Sequence, residues 1–383
     1  MFIRLKRKIA PAMALVLVCS SCTKDDATSS PNITPAGSGS TVVVSTIAGK
    51  LHDHGNAEDG NAANARFWNP GKMIYDNRNH TLYVADGTTI RSVDALNNVN
   101  TYMPLGTIGG FNEILDLDLA PGVAGSLYFT TKENDLVKIE PDGNTIRKTI
   151  LINRVTGGNE TGAMNASDQL DGANGIATGP NGDINMLNAY WNCMHRIQLS
   201  SPVTGTVTSF AGKPTATRSG IAWPYMNGQG EAASMGGSIP DIAADANGNI
   251  YVADFRNDLE RMVTADGTVS SLFKYMDGFG IDQDGPVAVA QANRVTQVAT
   301  SSDGTQVFFS TYGKGNNTLP ALRLLKKGIS VTTLVGNSNN YADGSGDLAG
   351  LGTIGGIAAT PDGKTLYVSE PGNKVIGKIV IGH

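Results

Sequence analysis

The run LYVADGTTIRSVD, Leu82–Asp94, returns with changes as IYVADFRNDLERMV from Ile250 and as LYVSEPGNKVIGKI from Leu366. Three further segments share its apolar pattern: LYFTT at Leu127, INMLN at Ile184 and VFFST at Val307. The six are spaced about 57 residues apart on average, a period typical of repeat architectures. Each is short, rich in β-branched or aromatic residues and bounded by turn formers, which predicts a strand.

Working outward, a turn precedes every one: DNRNH, APGVAG, GPNGD, DANGN, SSDGT and TPDGK. Asn-Gly and Asp-Gly adopt positive φ at little steric cost and predict hairpins. Before each turn lies another short strand, and several of these are rich in Gly, Ala and Thr, as crowding around a central axis requires. A third strand follows each central one (IRSVD, LVKIE, HRIQL). A fourth usually comes next, as in VNTYM, IRKTIL, VTSFAG, VSSLFK and VTTLVG.

Six units of four antiparallel strands result, except that the sixth lacks its fourth strand. VVVSTIAG, Val42–Gly49, has the pattern of that strand and sits at the other end of the chain. It is expected to pair with the last unit and close a ring, which removes open sheet edges. The segment Ser45–Asp94 resembles an NHL repeat. The resemblance rests on Ile47-Ala48-Gly49, Asp59-Gly60, Ala65, Phe67, Pro70, the LYVAD strand and Ile90-Arg91. It weakens in the second and third units and covers roughly residues 42–382. It implies an all-β, six-bladed β-propeller, a fold that serves enzymes, scaffolds and receptors alike.

The first residues have a different character. Arg4, Lys6, Arg7 and Lys8 precede an apolar run too short for a membrane span, with small residues before Cys22. This resembles a bacterial lipoprotein signal, and the following Lys-Asp-Asp resembles the surface-export signal of Bacteroidetes lipoproteins. The expected organisation is a signal over 1–21, a flexible tether over 22–40 beginning at a lipidated Cys22, and the propeller over 41–383. The location implied is the outer membrane or cell surface, with membrane contact through the lipid alone. No intramolecular disulfide is then expected for Cys193.

The chain has 383 residues, 40% hydrophobic and 16% charged, with 47 glycines and a formal charge of −5. Loss of the four basic leader residues takes that charge to about −9. An acidic propeller without basic clusters is no partner for nucleic acid.

Antiparallel order places the loops between second and third strands on one face, together with the long connections between units. The tight hairpins lie on the other. Long loops often carry function, so a site is expected at the channel mouth on the long-loop face. Trp68, Trp191, Trp223 and Tyr190 map there, as do Tyr225, Tyr312 and Tyr341. Together they suggest an aromatic platform for a sugar or an apolar side chain, or anchors for their own loops. Asp86, Asp254 and Glu370 share one place in three units, with Arg256 close behind Asp254. They are either ligand contacts or carboxylates that cap turns through backbone N–H groups.

His52 and His54 in the first long loop are candidate metal ligands, and calcium or zinc is the cofactor to consider. Asp-Gly recurs in the loops at Asp59, Asp171, Asp284 and Asp343, which points to a structural turn. No nucleophile elbow, zincin helix, Walker loop or dinucleotide fingerprint is present. The expected function is a ligand-binding module for glycan or peptide. A metal-dependent lyase or hydrolase and a scaffold for another surface protein are the alternatives.

Overall fold

The computed structural model describes residues 42–53, 55–104, 113–143, 145–152, 162–164, 173–188, 191–202, 204–214, 225–236, 240–273, 281–312, 319–336, 338 and 340–382. Six antiparallel sheets follow one another along the chain. Blade 1 comprises Pro70–Asp76, Thr81–Asp86, Thr89–Val93 and Val99–Pro104. Blade 2 comprises Ile114–Leu119, Leu127–Thr131, Leu136–Asp142 and Thr145–Ile152. Blade 3 comprises Ala173–Thr178, Ile184–Asn188, Cys193–Ser201 and Thr204–Ala211. Blade 4 comprises Asp241–Ala244, Ile250–Asp254, Leu259–Val263 and Thr268–Ser271. Blade 5 comprises Val295–Thr300, Gln306–Thr311, Ala321–Lys326 and Ser330–Val335.

Blade 6 supplies only three strands from its own stretch: Gly356–Ala359, Thr365–Glu370 and Val375–Ile381. Val42–Gly49 is its fourth, with Val44 opposite Ile379 and Gly49 opposite Val375. The first strands of the six blades pack side by side in sequence, and that of blade 6 packs against that of blade 1. The molecule is a closed six-bladed propeller.

The core is divided rather than central. Six apolar clusters of buried residues fill the six gaps between neighbouring blades. Leu82, Val84 and Val93 of blade 1 meet Ile47, Ala48 and Ile376 of blade 6 in one of them. Every second strand is therefore covered on both sides, and LYFTT, INMLN and IYVAD are buried throughout. That double coverage explains why these strands lack the polar alternation of a half-exposed sheet.

The long inter-blade loops carry structure of their own. They contain short strands at Gly162–Met164, Gly228–Gln229, Gly285–Pro286 and Gly344–Ser345. Each pairs with the outer strand of the blade that follows, as Gly344 does with Val44. In blade 1 a single bridge, Gly60 to Val99, does the same. The loops thus wrap the rim of the next blade instead of rising freely from the face.

Candidate functional site

The third-strand arginine fixes these loops. Arg91, Arg261 and Arg323 are among the largest fully buried side chains. The Arg91 guanidinium donates to the Glu58 and Arg66 carbonyls and to Asp59, at 2.8–3.1 Å. Arg261 donates to the Met226 carbonyl and Asn227, at 2.8 and 3.0 Å. Arg323 pairs with Asp282 and Asp284, at 3.2 and 2.7 Å. A fourth-strand hydroxyl holds the same loop residue from the other side: Thr101 on Asp59, Ser271 on Asn227 and Thr333 on Asp284.

Blade 6 keeps the hydroxyl, Thr46 on Asp343 at 2.9 Å, but has Gly377 where the arginine stands in blades 1, 4 and 5. Tyr341 occupies that space. A Cβ on Gly377 would lie 2.8 Å from its hydroxyl. The Asp-Gly turns at Asp59, Asp284 and Asp343 are therefore an anchoring device, and their carboxylates already have partners; Asp171 lies outside the described residues.

The carboxylates of Asp86, Asp254 and Glu370 turn into the protein, with 2%, 0% and 0% exposure. Asp86 accepts the amides of Trp68 and Asn69, at 3.1 and 2.6 Å, and lies 3.3 Å from Arg91. Asp254 accepts the Gly236 amide and Asn257. Glu370 accepts the Gly352 amide and Asn373. Each ties the end of an inter-blade loop to the second strand of its own blade. Burial raises Asp254 above the ordinary carboxylate range, against the opposing Arg261 charge. Burial likewise takes Glu370 to about 7.

What Asp86 holds in place is Trp68, whose side chain is 58% exposed on the long-loop face. Lys374 donates to its carbonyl, and the indole packs over Gly87, where a Cβ would come within 3.0 Å. The absence of a Cβ at Gly87 permits that approach, and its φ of 65° is a left-handed conformation that glycine adopts freely. Arg256 is exposed on blade 4 of the same face. Trp191 is half-buried on blade 3, its amide bound to Asn188 and its indole N–H without an acceptor among the described residues. Tyr225 packs beneath the guanidinium of Arg261 and Tyr341 is buried, so these two serve their loops. Tyr190 and Trp223 lie outside the described residues, as do Cys22 and His54. His52 is exposed, while its neighbours Asp53 and Glu58 are taken by Arg66, at 2.8 and 2.5 Å. Among the described residues no three His, Cys, Asp or Glu side chains gather where a metal ion would sit.

The polar layer at the axis is a feature that sequence reasoning missed. Lys72, Asp116, Gly175, Asp241, Gln297 and Gly356 occupy corresponding places in the six first strands. Lys72 of blade 1 spans the ring to Asp241 of blade 4, its opposite number, with Nζ 2.5 Å from the carboxylate. Asp116 accepts the Ile176 amide of blade 3, and Asp241 accepts the Val298 amide of blade 5. Both aspartates therefore also bridge neighbouring blades. Burial raises both carboxyls, and the Lys72 charge opposes it. From this layer a cavity of about 530 Å³ runs to the hairpin face, past Asp118, Thr178, Ala244 and Thr300 to Arg78, Pro121, Pro180 and Pro361. The one visible signal was charge within first strands otherwise made of small or apolar residues.

A buried thiol and imidazole also meet on blade 3, with Cys193 Sγ 3.6 Å from His195 Nε2. Burial pushes the Cys193 thiol up to about 12 and His195 down to about 4. Both are therefore neutral near pH 7, and the pair does not form the thiolate–imidazolium of a cysteine nucleophile.

No protein-family model matches the chain, and no curated protein matches it. Solved structures do. A protein of unknown function from Bacteroides thetaiotaomicron aligns with a TM-score of 0.64 at 17% identity, over 90% of this chain and 76% of that one. An auxiliary nutrient binding protein from the same organism aligns with a TM-score of 0.62 at 16% identity, over 90% and 77%. A putative phosphatase from that organism gives 0.61 at 15%, over 90% and 79%. At such identities the likeness is one of fold, and the fold is the six-bladed β-propeller.

Proposed function

We propose that this chain is a cell-surface lipoprotein whose propeller binds a glycan or peptide through the long-loop face. The leader over 1–21, the lipidated Cys22 and the tether over 22–40 would present the propeller outside the cell, attached by lipid alone. The observation that carries the reading is Trp68. A large aromatic 58% exposed to water is held by two backbone amides on a buried carboxylate. Rigid, amphipathic aromatics bind with little loss of conformational entropy and stack on sugar rings or apolar side chains. Arg256 on the same rim adds a donor. The nutrient-binding description of one structural neighbour is consistent with such a role.

The test is a glycan and peptide array with the wild type and Trp68→Ala. Binding is expected to fall at least about tenfold in the variant, with stability changed by less than about 0.5 kcal/mol, since the site is on the surface. Equal binding by both proteins, or none by the wild type, would overturn the proposal. Cys22→Ser is expected to abolish labelling with radioactive fatty acid and to release the protein from membranes.

A further inference from the structure

A second cleft, of about 260 Å³, opens between blades 6 and 1 on the hairpin side, away from Trp68. Its walls include Ile47, Tyr75, His80, Asp94, Tyr367 and Lys378. Tyr75 of blade 1 and Tyr367 of blade 6 stack across the gap, with ring centroids 5.4 Å apart and planes 23° from parallel. Lys378 lies directly opposite Tyr367 in the sheet, so its side chain emerges on the same side. Tyr75 Oη is 3.0 Å from His80 Nδ1. With the tyrosine donating, the imidazole carries its proton on Nε2.

His80 is set there at some conformational cost. Its φ is 54°, the left-handed region, whereas the equivalent turns of blades 3 to 6 place a glycine in that region. Strain of this kind clusters at functional positions.

The cleft offers donors that no described residue engages. The Lys378 ammonium and the Tyr367 hydroxyl have no hydrogen bond or ion pair with any described residue. The two nearby carboxylates are occupied by their own turns. Asp94 accepts from the Leu96 and Asn98 amides and the Asn98 side chain, at 2.8–3.0 Å. Asp362, close enough to raise Tyr75, accepts from Thr360 and the Lys364 amide. What remains is the Lys378 ammonium, which can only donate, with the Tyr367 hydroxyl and the His80 imidazole N–H as further donors beside an aromatic pair.

We propose that this cleft binds a carboxylate carried on a small molecule, either an acidic sugar unit or a free organic acid. Lys378 would meet the carboxylate, with Tyr367 and His80 as further donors, and the tyrosine pair would cover the apolar side of the ligand. The volume lies below the range of drug-sized pockets, which suits a single unit.

The test follows the Tyr75 and Tyr367 ring resonances of the full chain by NMR during titration with sodium glucuronate, glucose and sodium acetate. Glucuronate is expected to shift both rings with a Kd of about 10 mM or better, and glucose to bind at least about tenfold more weakly. Acetate matching glucuronate would assign the site to organic acids. Acetate binding more weakly would assign it to acidic sugars. Lys378→Met is expected to lose at least about tenfold, and Lys378→Arg to retain binding, which separates loss of charge from loss of fold. Trp68→Ala should leave this titration unchanged. Equal response to glucose and glucuronate, or no response to either, overturns the proposal.

Discussion

Lys72 and Asp241 belong to diametrically opposite blades and meet 2.5 Å apart on the propeller axis, with side chains 12% and 6% exposed. Removing one partner of a buried ion pair leaves the other charge without compensation. Lys72→Met is therefore expected to cost about 3–5 kcal/mol in denaturant unfolding. Adding Asp241→Asn should recover part of that loss. A double variant as unstable as the sum of the two singles would show that the pair is not coupled.

Gly377 and Tyr341 form a matched pair in the closing blade. Gly377→Ala places a methyl 2.8 Å from the tyrosine hydroxyl and 3.1 Å from its ring edge. Overpacking of this kind is expected to cost about 1–3 kcal/mol. Gly377→Ala combined with Tyr341→Phe should be less destabilised than the single change, as read by thermal denaturation. No rescue would mean that the conflict lies with the ring edge or with the Val368 side chain, each 3.1 Å away.

Buried His195 makes stability depend on acid. Its folded value, about 4, lies below the ordinary 6.5 because burial disfavours the charged ring. A depressed folded value gives stability that is complete above 6.5 and lost as pH falls towards 4. The full difference corresponds to about 3 kcal/mol. Unfolding free energies at pH 7 and pH 4 should therefore diverge less in His195→Gln than in the wild type. Parallel curves for the two proteins would count against the assignment.

Glu260 works in the opposite sense. Its carboxyl is fully buried on the third strand of blade 4, and neither oxygen is in good hydrogen-bond geometry with a described residue. Burial, then the charges of Asp241 and Asp254, holds it well above the ordinary carboxylate range. A raised folded value gives stability present at low pH and lost as pH rises through it. Glu260→Gln is expected to raise the melting temperature at pH 8 and to have little effect at pH 4. An unchanged difference across that span would remove the ionisation argument.

The repeated strands were legible because each lies between two blades and obeys one rule at both faces. Ring closure was legible too, since blade 6 lacked one strand and Val42–Gly49 carried the missing pattern. The Lys72–Asp241 contact was not, because it depends on six strands meeting at an axis and on which two stand opposite. The loop anchors were visible only as spelling. Ile90-Arg91 and Asp59-Gly60 stood out, but nothing along the chain says that Arg91 reaches Asp59. Gly377 in place of an arginine has meaning only beside Tyr341. The place shared by Asp86, Asp254 and Glu370 fitted either ligand contact or backbone capping, and pattern alone could not choose between them. Their burial and amide partners assign each a capping role.

The pairing of Val44 with Ile379 imposes an order of events during synthesis. The earliest strand of the propeller leaves the ribosome before any of its partners exist. Val42, Val44 and Ile47, all buried in the finished ring, must wait while five blades are made. Blades 1 to 5 can form from local contacts as they emerge, but this joint draws on the two most distant parts of the domain, a slow and aggregation-exposed step. A nascent chain halted before Val375 would carry this strand as a bare apolar edge, a ready target for chaperones.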